Sequence, residues 1–273
     1  MMNINVPGRF FKEEYLETLA EKNAVEYQTA RPFSHIFFDD FLPSEALDEV
    51  LKEFPDIDNP QWHLFKSETD NDKFGSTKYE LIPPYTRYVL DQLNTPPFLR
   101  FLEKLTGIEH LIPDPYYQGG GMHQTKRGGW LGIHVDFTRN EELRLYRRIN
   151  VLLYLNKEYE DEYGGHLELW DEKMERCHKK IAPIFNRLAI FTTSENSHHG
   201  HPDKLNFPEG VTRKSLAWYY YTAENGANMK QELDTHFKAR PGKDALYNRR
   251  RLKQFLRSLI PPVVFDIKRK IKG

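Results

Sequence analysis

Apolar residues recur at helical spacing in the first third of the chain and gather into short strand-like runs after residue 115. Leu47, Val50, Leu51 and Phe54 stand at i, i+3, i+4 and i+7, which predicts a helix capped by Ser44 and closed by Pro55. Thr86 to Leu93 predicts a second helix, and Pro96 to Leu105 a third with Gly107 at its end. Pro32 to Phe38 reads as a strand that leads into the first of them. Pro60 to Ser76 is polar and aperiodic, so it is expected to be a mobile loop. Beyond 115, Met122-His123-Gln124, Gly132 to Phe137, Asn150 to Asn156, Arg187 to Thr192 and Ser215 to Tyr221 read as strands separated by turn residues. The chain divides on this pattern into a helical support region (1–110, integral to the same domain), a β core (111–230) and a C-terminal tail (231–273).

The tail changes the electrostatic picture. The net charge of −1 conceals twelve Lys/Arg against Asp244 and Asp266 from Lys238 onward, a net of +10. The remainder carries 27 basic and 38 acidic residues, a net of −11. Leu252, Phe255, Leu256, Leu259 and Ile260 recur at helical spacing among arginines and lysines, until Pro261-Pro262. A second short segment ends in Lys268-Arg269-Lys270. A basic amphipathic helix suits an anionic membrane surface or an acidic partner, and equally a docked position on this protein's own acidic body. Nucleic acid is not expected as a partner, because the rest of the chain would repel phosphates. Cys177 is the single cysteine, so no internal disulfide can form, which suits a reducing cytosol. No apolar run reaches signal-peptide or membrane-span length. The expected location is cytoplasmic, with peripheral membrane contact through the tail as the variant reading.

Candidate chemistry centres on His134-Val135-Asp136. In a strand, residues i and i+2 share a face, so His134 and Asp136 point into one cavity and Val135 into a packing layer. Two imidazoles and one carboxylate occupy three adjacent positions on a metal and leave the others open, the donor set of non-haem Fe(II) oxygenases. One strand cannot supply all three. His198, His199 and His201 compete for the third place in Ser197-His198-His199-Gly200-His201. Downstream, Arg213 and Ser215 share one face at the start of a long buried strand. An arginine there offers a fork for an acidic co-substrate. Gly164-Gly165 reads as a turn, and His166 and His178 as surface or packing residues. His123 and Gln124 are candidates for the far end of the co-substrate.

From about Gly120 to Thr222 the chain resembles the prolyl 4-hydroxylase-like branch of the 2-oxoglutarate/Fe(II) dioxygenases, including the HIF prolyl hydroxylases. The resemblance rests on His134-Val135-Asp136, Asn150 to Asn156, Gly164 to Leu169, Ser197 to Gly200 and Arg213-Lys214-Ser215, in that order. It implies a mainly β fold, a double-stranded β-helix (a cupin-like jelly roll), with helical support before it and a helical basic tail after it. It implies His134, Asp136 and His199 as iron ligands, with His198 as the runner-up. Arg213, Ser215 and Tyr154 would hold the C5 carboxylate of 2-oxoglutarate, and Leu152 and Leu167 would line its pocket. The loop from His199 to Arg213 is a few residues longer than in the animal enzymes. The implied activity is oxidative decarboxylation of 2-oxoglutarate coupled to hydroxylation of an unactivated C–H bond, a prolyl residue among the candidates. Fe(II), 2-oxoglutarate and O2 would serve it, with ascorbate as a candidate reductant. The substrate would be a protein or a small molecule, carbohydrate included. The competing readings are a jelly roll that binds metal or sugar without oxidising anything, and a cupin-like isomerase or hydrolase.

Overall fold

The computed structural model describes residues 10–59, 62–65, 70–76, 79–224, 234–241 and 243–244. It divides into two compact units, Met1–Lys238 and Ala239–Gly273. The helical reading of 252–260 lies outside the described residues.

The first unit opens with α1 (Glu13–Thr29), then β1 (His35–Phe38) and α2 (Ser44–Glu53). A strand pair follows, β2 (His63–Phe65) and β3 (Asp70–Gly75). Two more helices, α3 (Pro84–Gln92) and α4 (Pro96–Thr106), precede the main run of strands. These are β4 (Ile112–Pro113), β5 (Gly121–Val135), β6 (Arg139–Asn140), β7 (Leu145–Tyr154), β8 (Leu167–Trp170) and β9 (Cys177–Ile181). The last are β10 (Leu188–Thr192), β11 (His199–His201), β12 (Arg213–Thr222) and β13 (His236–Phe237). The central sheet runs β1-β10-β7-β12-β5-β11-β8-β9, and each of these neighbouring pairs is antiparallel. Sequence neighbours are seldom sheet neighbours, as a jelly roll requires. The sheet curls into a nearly closed barrel, the double-stranded β-helix expected from the resemblance.

Period-2 alternation divides each central strand between two environments. On β12, Leu216, Trp218 and Tyr220 face the helices, and Arg213, Ser215, Ala217 and Tyr219 face the barrel interior. Trp218 pairs with Val151 of β7, and Ser215 with Tyr154. The helix-side layer joins Leu16 and Ala20 of α1 and Phe98, Phe101 and Leu105 of α4 to Ile149, Val151 and Leu153 of β7. Three polar atoms in that layer find partners, as buried polar atoms must. Trp218 Nε1 donates to the Leu90 carbonyl at 2.8 Å, and the Tyr220 hydroxyl to the Leu93 carbonyl at 2.7 Å. The Tyr27 hydroxyl meets Thr192 Oγ1 at 2.8 Å.

The structure departs from the sequence pattern in four places. Pro60 to Ser76 is not simply a loop, because β2 and β3 occupy much of it and β3 pairs along β5. A strand added at a sheet edge is held by backbone hydrogen bonds, which leave no hydrophobic signature. The Met122 and Gly132 strands are one 15-residue strand, β5. α1 went unpredicted because only Leu16, Ala20 and Tyr27 along it are buried, too narrow a stripe to show as a period. Ser44 lies inside α2 instead of capping it, and Pro43 takes the cap position. Gly107 ends α4 in the left-handed conformation (φ 71°), where glycine has no Cβ to strain.

Candidate active site

β5 and β11 bring the metal candidates together. His199 is the Cα partner of His134, and directly opposed residues of an antiparallel pair share a face. Their rings lie 4.5 Å apart, centre to centre. Asp136 follows just past the end of β5, on the same side. His134 Nε2 is 3.5 Å from Asp136 Oδ1, and His199 Nε2 is 3.4 Å from Asp136 Oδ2. One donor atom from each residue falls within 4.8 Å of the others, and all three residues are buried.

Hydrogen bonds prepare both imidazoles for a metal. His134 Nδ1 lies 2.9 Å from the Gly132 carbonyl, and His199 Nδ1 lies 2.8 Å from the Ser197 carbonyl. A carbonyl only accepts, so Nδ1 carries the proton and Nε2 presents its lone pair to the cavity. Burial pushes the His199 pKa down to about 3, against the pull of Asp136, so the ring is neutral at working pH. Burial alone would raise Asp136, but Arg147, His199 and His134 outweigh it and hold the carboxylate well below its usual range. Two imidazoles and one carboxylate fit a divalent metal such as Fe(II).

The far end of the same cavity fits an acidic molecule. Arg213 opens β12 beside Thr125 of β5 and is 6% exposed. Its Nε donates to the Gly165 carbonyl at 2.8 Å, and its guanidinium sits over the Tyr154 ring at 5.0 Å. Among the described residues no carboxylate pairs with it. A buried cation without a counter-charge is costly, so an anion from outside the chain would be favoured here. The Tyr154 hydroxyl is fully buried beside the Arg213 guanidinium and, that neighbour apart, has no hydrogen-bond partner among the described residues. Gly165 is more than a turn. Its φ is +77°, and a Cβ there would meet the Arg213 side chain at 2.8 Å.

Leu152, Leu167 and Ser215 line the cavity of about 70 Å³ that joins the two ends. His123 lines it too, opposite Ser215, with Nε2 on the Gly119 carbonyl at 2.9 Å. Gln124 does not. Its side chain turns to Thr212 and the Pro55 carbonyl, on the other face of β5. His198 is buried away from the cavity, and neither of its ring nitrogens has a hydrogen-bond partner among the described residues. His201 does line it. His166 bonds Asp161 at 2.8 Å, and His178 lies 3.4 Å from Asp171, both outside the cavity.

Several lining residues escaped sequence reasoning. Arg147, Asn150 and Tyr219 border the metal end, and Lys73 reaches the cavity from β3. Arg147 stands in the highly charged stretch from Asn140 to Arg148, whose place just after β5 suggests the border of the site mouth, and it is 2% exposed. Phe237 of β13 pairs with His134 and lays its ring 5.1 Å from the imidazole.

The buried histidines carry a pH prediction. Burial pushes His123 down to about 3 and His198 to about 4. An unfolded histidine titrates near 6.5, so between 6.5 and these values the unfolded chain binds more protons. Stability is unaffected above 6.5 and lost as pH falls below it, by up to ~1.4 kcal/mol per pH unit for each such group. Asp136 adds nothing in this window, because its effect begins below the ordinary carboxylate range. The metal-free protein should melt lower at pH 5 than at pH 7.5, by calorimetry. Equal melting temperatures would mean these imidazoles are not held neutral.

A jelly roll with two histidines and one carboxylate on one face, and a buried arginine beyond them, has the make-up of an Fe(II) oxygenase. Over residues 120–221 the chain matches the 2OG-Fe(II) oxygenase superfamily. Its cofactors are therefore Fe(II) and 2-oxoglutarate, and it is a dioxygenase. No curated protein matches the chain. Solved structures share the fold at low identity. A prolyl hydroxylase from Trichoplax adhaerens, in complex with a hypoxia inducible factor peptide, is similar at a TM-score of 0.55 and 17% identity. The match covers 76% of this chain and 91% of that one. A Pseudomonas putida prolyl-4-hydroxylase gives 0.52 and 15%, over 75% and 99% of the two chains. HygX from Streptomyces hygroscopicus, with nickel and 2-oxoglutarate bound, gives 0.52 and 9%, over 80% and 96%.

Proposed function

We propose that this dioxygenase hydroxylates an unactivated C–H bond, with a prolyl residue of a protein or peptide as its first candidate substrate. The observation that carries the reading is one cavity with a two-histidine, one-carboxylate cluster at one end and, at the other, a buried arginine with no carboxylate partner among the described residues. His134, Asp136 and His199 would hold Fe(II). Arg213, Ser215 and Tyr154 would take the C5 carboxylate of 2-oxoglutarate, with Leu152 and Leu167 against its methylenes. When bound, the iron supplies activation of O2, which is spent in converting 2-oxoglutarate to succinate and CO2 and in placing one oxygen atom on the substrate. The protein's own part is positional. The neutral His199 imidazole and the ionised Asp136 carboxylate need no proton shed on binding metal at neutral pH. The guanidinium fixes one end of the co-substrate, and buried walls keep bulk water from the reacting centre.

The prolyl preference draws on the fold shared with the two prolyl hydroxylases, one of them solved with a peptide. The test incubates the full chain with Fe(II), 2-oxoglutarate and a panel of prolyl peptides, sugars and free amino acids. Succinate should form in step with a mass gain of one oxygen on a peptide. Succinate coupled to a sugar instead would replace the substrate class, and no succinate with any candidate would sink the function.

The basic segment from Lys238 onward is proposed as a contact for anionic membrane surfaces, placing a cytoplasmic enzyme at the periphery of a membrane. Its charge of +10 supports this. The full chain should co-sediment with phosphatidylserine vesicles and release as salt rises, since exposed charges are screened over about 8–10 Å at physiological ionic strength. Binding that ignores salt, or none at all, would remove the proposal.

A further inference from the structure

The wall between the metal end and Arg213 carries a histidine. β11 holds His199 and His201 two residues apart, and both side chains face the cavity. Pairing along β5 orders the cavity in three levels. His134 pairs with His199 at the metal end, Leu131 pairs with His201 next, and Thr125 pairs with Arg213 at the far end. Two residues of strand rise are about 6–7 Å, which is comparable with the span of a five-carbon dicarboxylate. His201 is 5% exposed, and its Nδ1 has no hydrogen-bond partner among the described residues. Of the charged groups around it, Arg213 acts on it most strongly. Leaving an imidazole nitrogen buried without a partner is costly. An apolar side chain, such as the Leu131 and Leu167 that line the same cavity, would wall a passage for methylenes without that cost.

We propose that His201 is a specificity-determining residue of the co-substrate pocket, donating a ring N–H to the same carboxylate that Arg213 holds. The inference rests on the co-substrate reading argued above. An imidazole, neutral or charged, always has at least one N–H, so the donor exists in either state. The two groups come from different strands, β11 and β12, and so grip one carboxylate from two directions. Arg213 supplies the charge. His201, one level nearer the metal, fixes how deep the carboxylate sits. A dicarboxylate of another length keeps the guanidinium but loses the alignment with the imidazole, so His201 turns a general anion site into one that measures chain length.

Equilibrium binding tests this without turnover. The full chain, His201→Leu and His201→Gln would be loaded with Co(II) and titrated by calorimetry, without oxygen, with 2-oxoglutarate and with the one-carbon-longer 2-oxoadipate. His201→Leu should bind 2-oxoglutarate roughly tenfold or more weakly, the loss expected for a hydrogen bond to a charged group. Its preference for 2-oxoglutarate over 2-oxoadipate should narrow, and its Co(II) affinity should not change. His201→Gln keeps an N–H donor and should recover part of the loss. In an Arg213→Ala background the leucine substitution should cost less, because groups that share one partner are not additive. If His201→Leu does not fold, the imidazole nitrogen resonances of the unsubstituted chain carry the test. The resonance missing from His201→Gln should move when 2-oxoglutarate is added, and one that stays put would overturn the proposal. So would unchanged 2-oxoglutarate affinity in a folded His201→Leu, an equal loss with and without Arg213, or a fall in Co(II) affinity. Each of these leaves the co-substrate reading standing. No 2-oxoglutarate binding by the unsubstituted chain would overturn that reading, and this inference with it.

Discussion

His134→Ala is expected to abolish Fe(II)-dependent succinate formation while the protein stays folded. The imidazole stands at the cavity face of β5, and its Nδ1 touches only a backbone carbonyl two residues away. Losing it costs one local hydrogen bond, about 1 kcal/mol, and one metal ligand. Asp136→Ala should abolish turnover too, but with a different stability signature. It would strip Arg147 of the carboxylate 3.0 Å away and leave a guanidinium buried without a counter-charge. Breaking a buried pair from one side costs about 3–5 kcal/mol, so the melting temperature should fall by many degrees where His134→Ala hardly moves it. The two neighbouring histidines separate cleanly. His199→Ala should match His134→Ala in turnover. His198→Ala should be mild, because its ring lies outside the cavity and has no hydrogen-bond partner to lose among the described residues. Succinate assays and metal titration of the four variants check this. Full turnover in His134→Ala would sink the metal assignment, and a severe His198 variant beside a mild His199 one would move the third ligand by one residue.

The residues legible from sequence were those whose roles depend on local spacing. The i, i+2 rule puts His134 and Asp136 on one side, and Arg213 with Ser215 on one face of β12, because strand alternation is a local property. Helix positions from 44 to 106 were legible for the same reason, since their buried faces recur every three or four residues. The choice among His198, His199 and His201 was not local. It depends on the pairing of β11 with β5, where His199 meets His134 and His198 falls outside the strand. Arg147 shows the limit most clearly. A run of charges just after β5 suggests the border of the site mouth but singles out no residue, and only the tertiary fold reveals Asp136 and Tyr219 around Arg147. β3 escaped for another reason: backbone pairing along β5 asks nothing of its side chains, yet it brings Lys73 to the cavity.

Arg213→Ala should raise the KM for 2-oxoglutarate by about thirtyfold or more while metal affinity stays unchanged. The guanidinium is buried, bonded at Nε to the Gly165 carbonyl, and without a carboxylate partner among the described residues. Its charge is therefore available to the co-substrate. A hydrogen bond to a charged group in such a place contributes about 2–3 kcal/mol, and 2 kcal/mol corresponds to about thirtyfold in affinity. Arg213→Lys should recover only part of the loss. An ammonium restores the charge but not the planar fork, and it cannot keep the Gly165 contact and grip a carboxylate with a matched pair of donors. The metal ligands come from the other end of the cavity, so Co(II) titration of both variants should follow the unsubstituted protein. Steady-state kinetics over a wide 2-oxoglutarate range, read as KM apart from kcat, separates the outcomes. A raised KM with kcat recovered at saturation is the signature of lost co-substrate binding. An unchanged KM in Arg213→Ala would mean that the carboxylate is held elsewhere. Lys73, the other cation lining the cavity with Arg147, would then be substituted next.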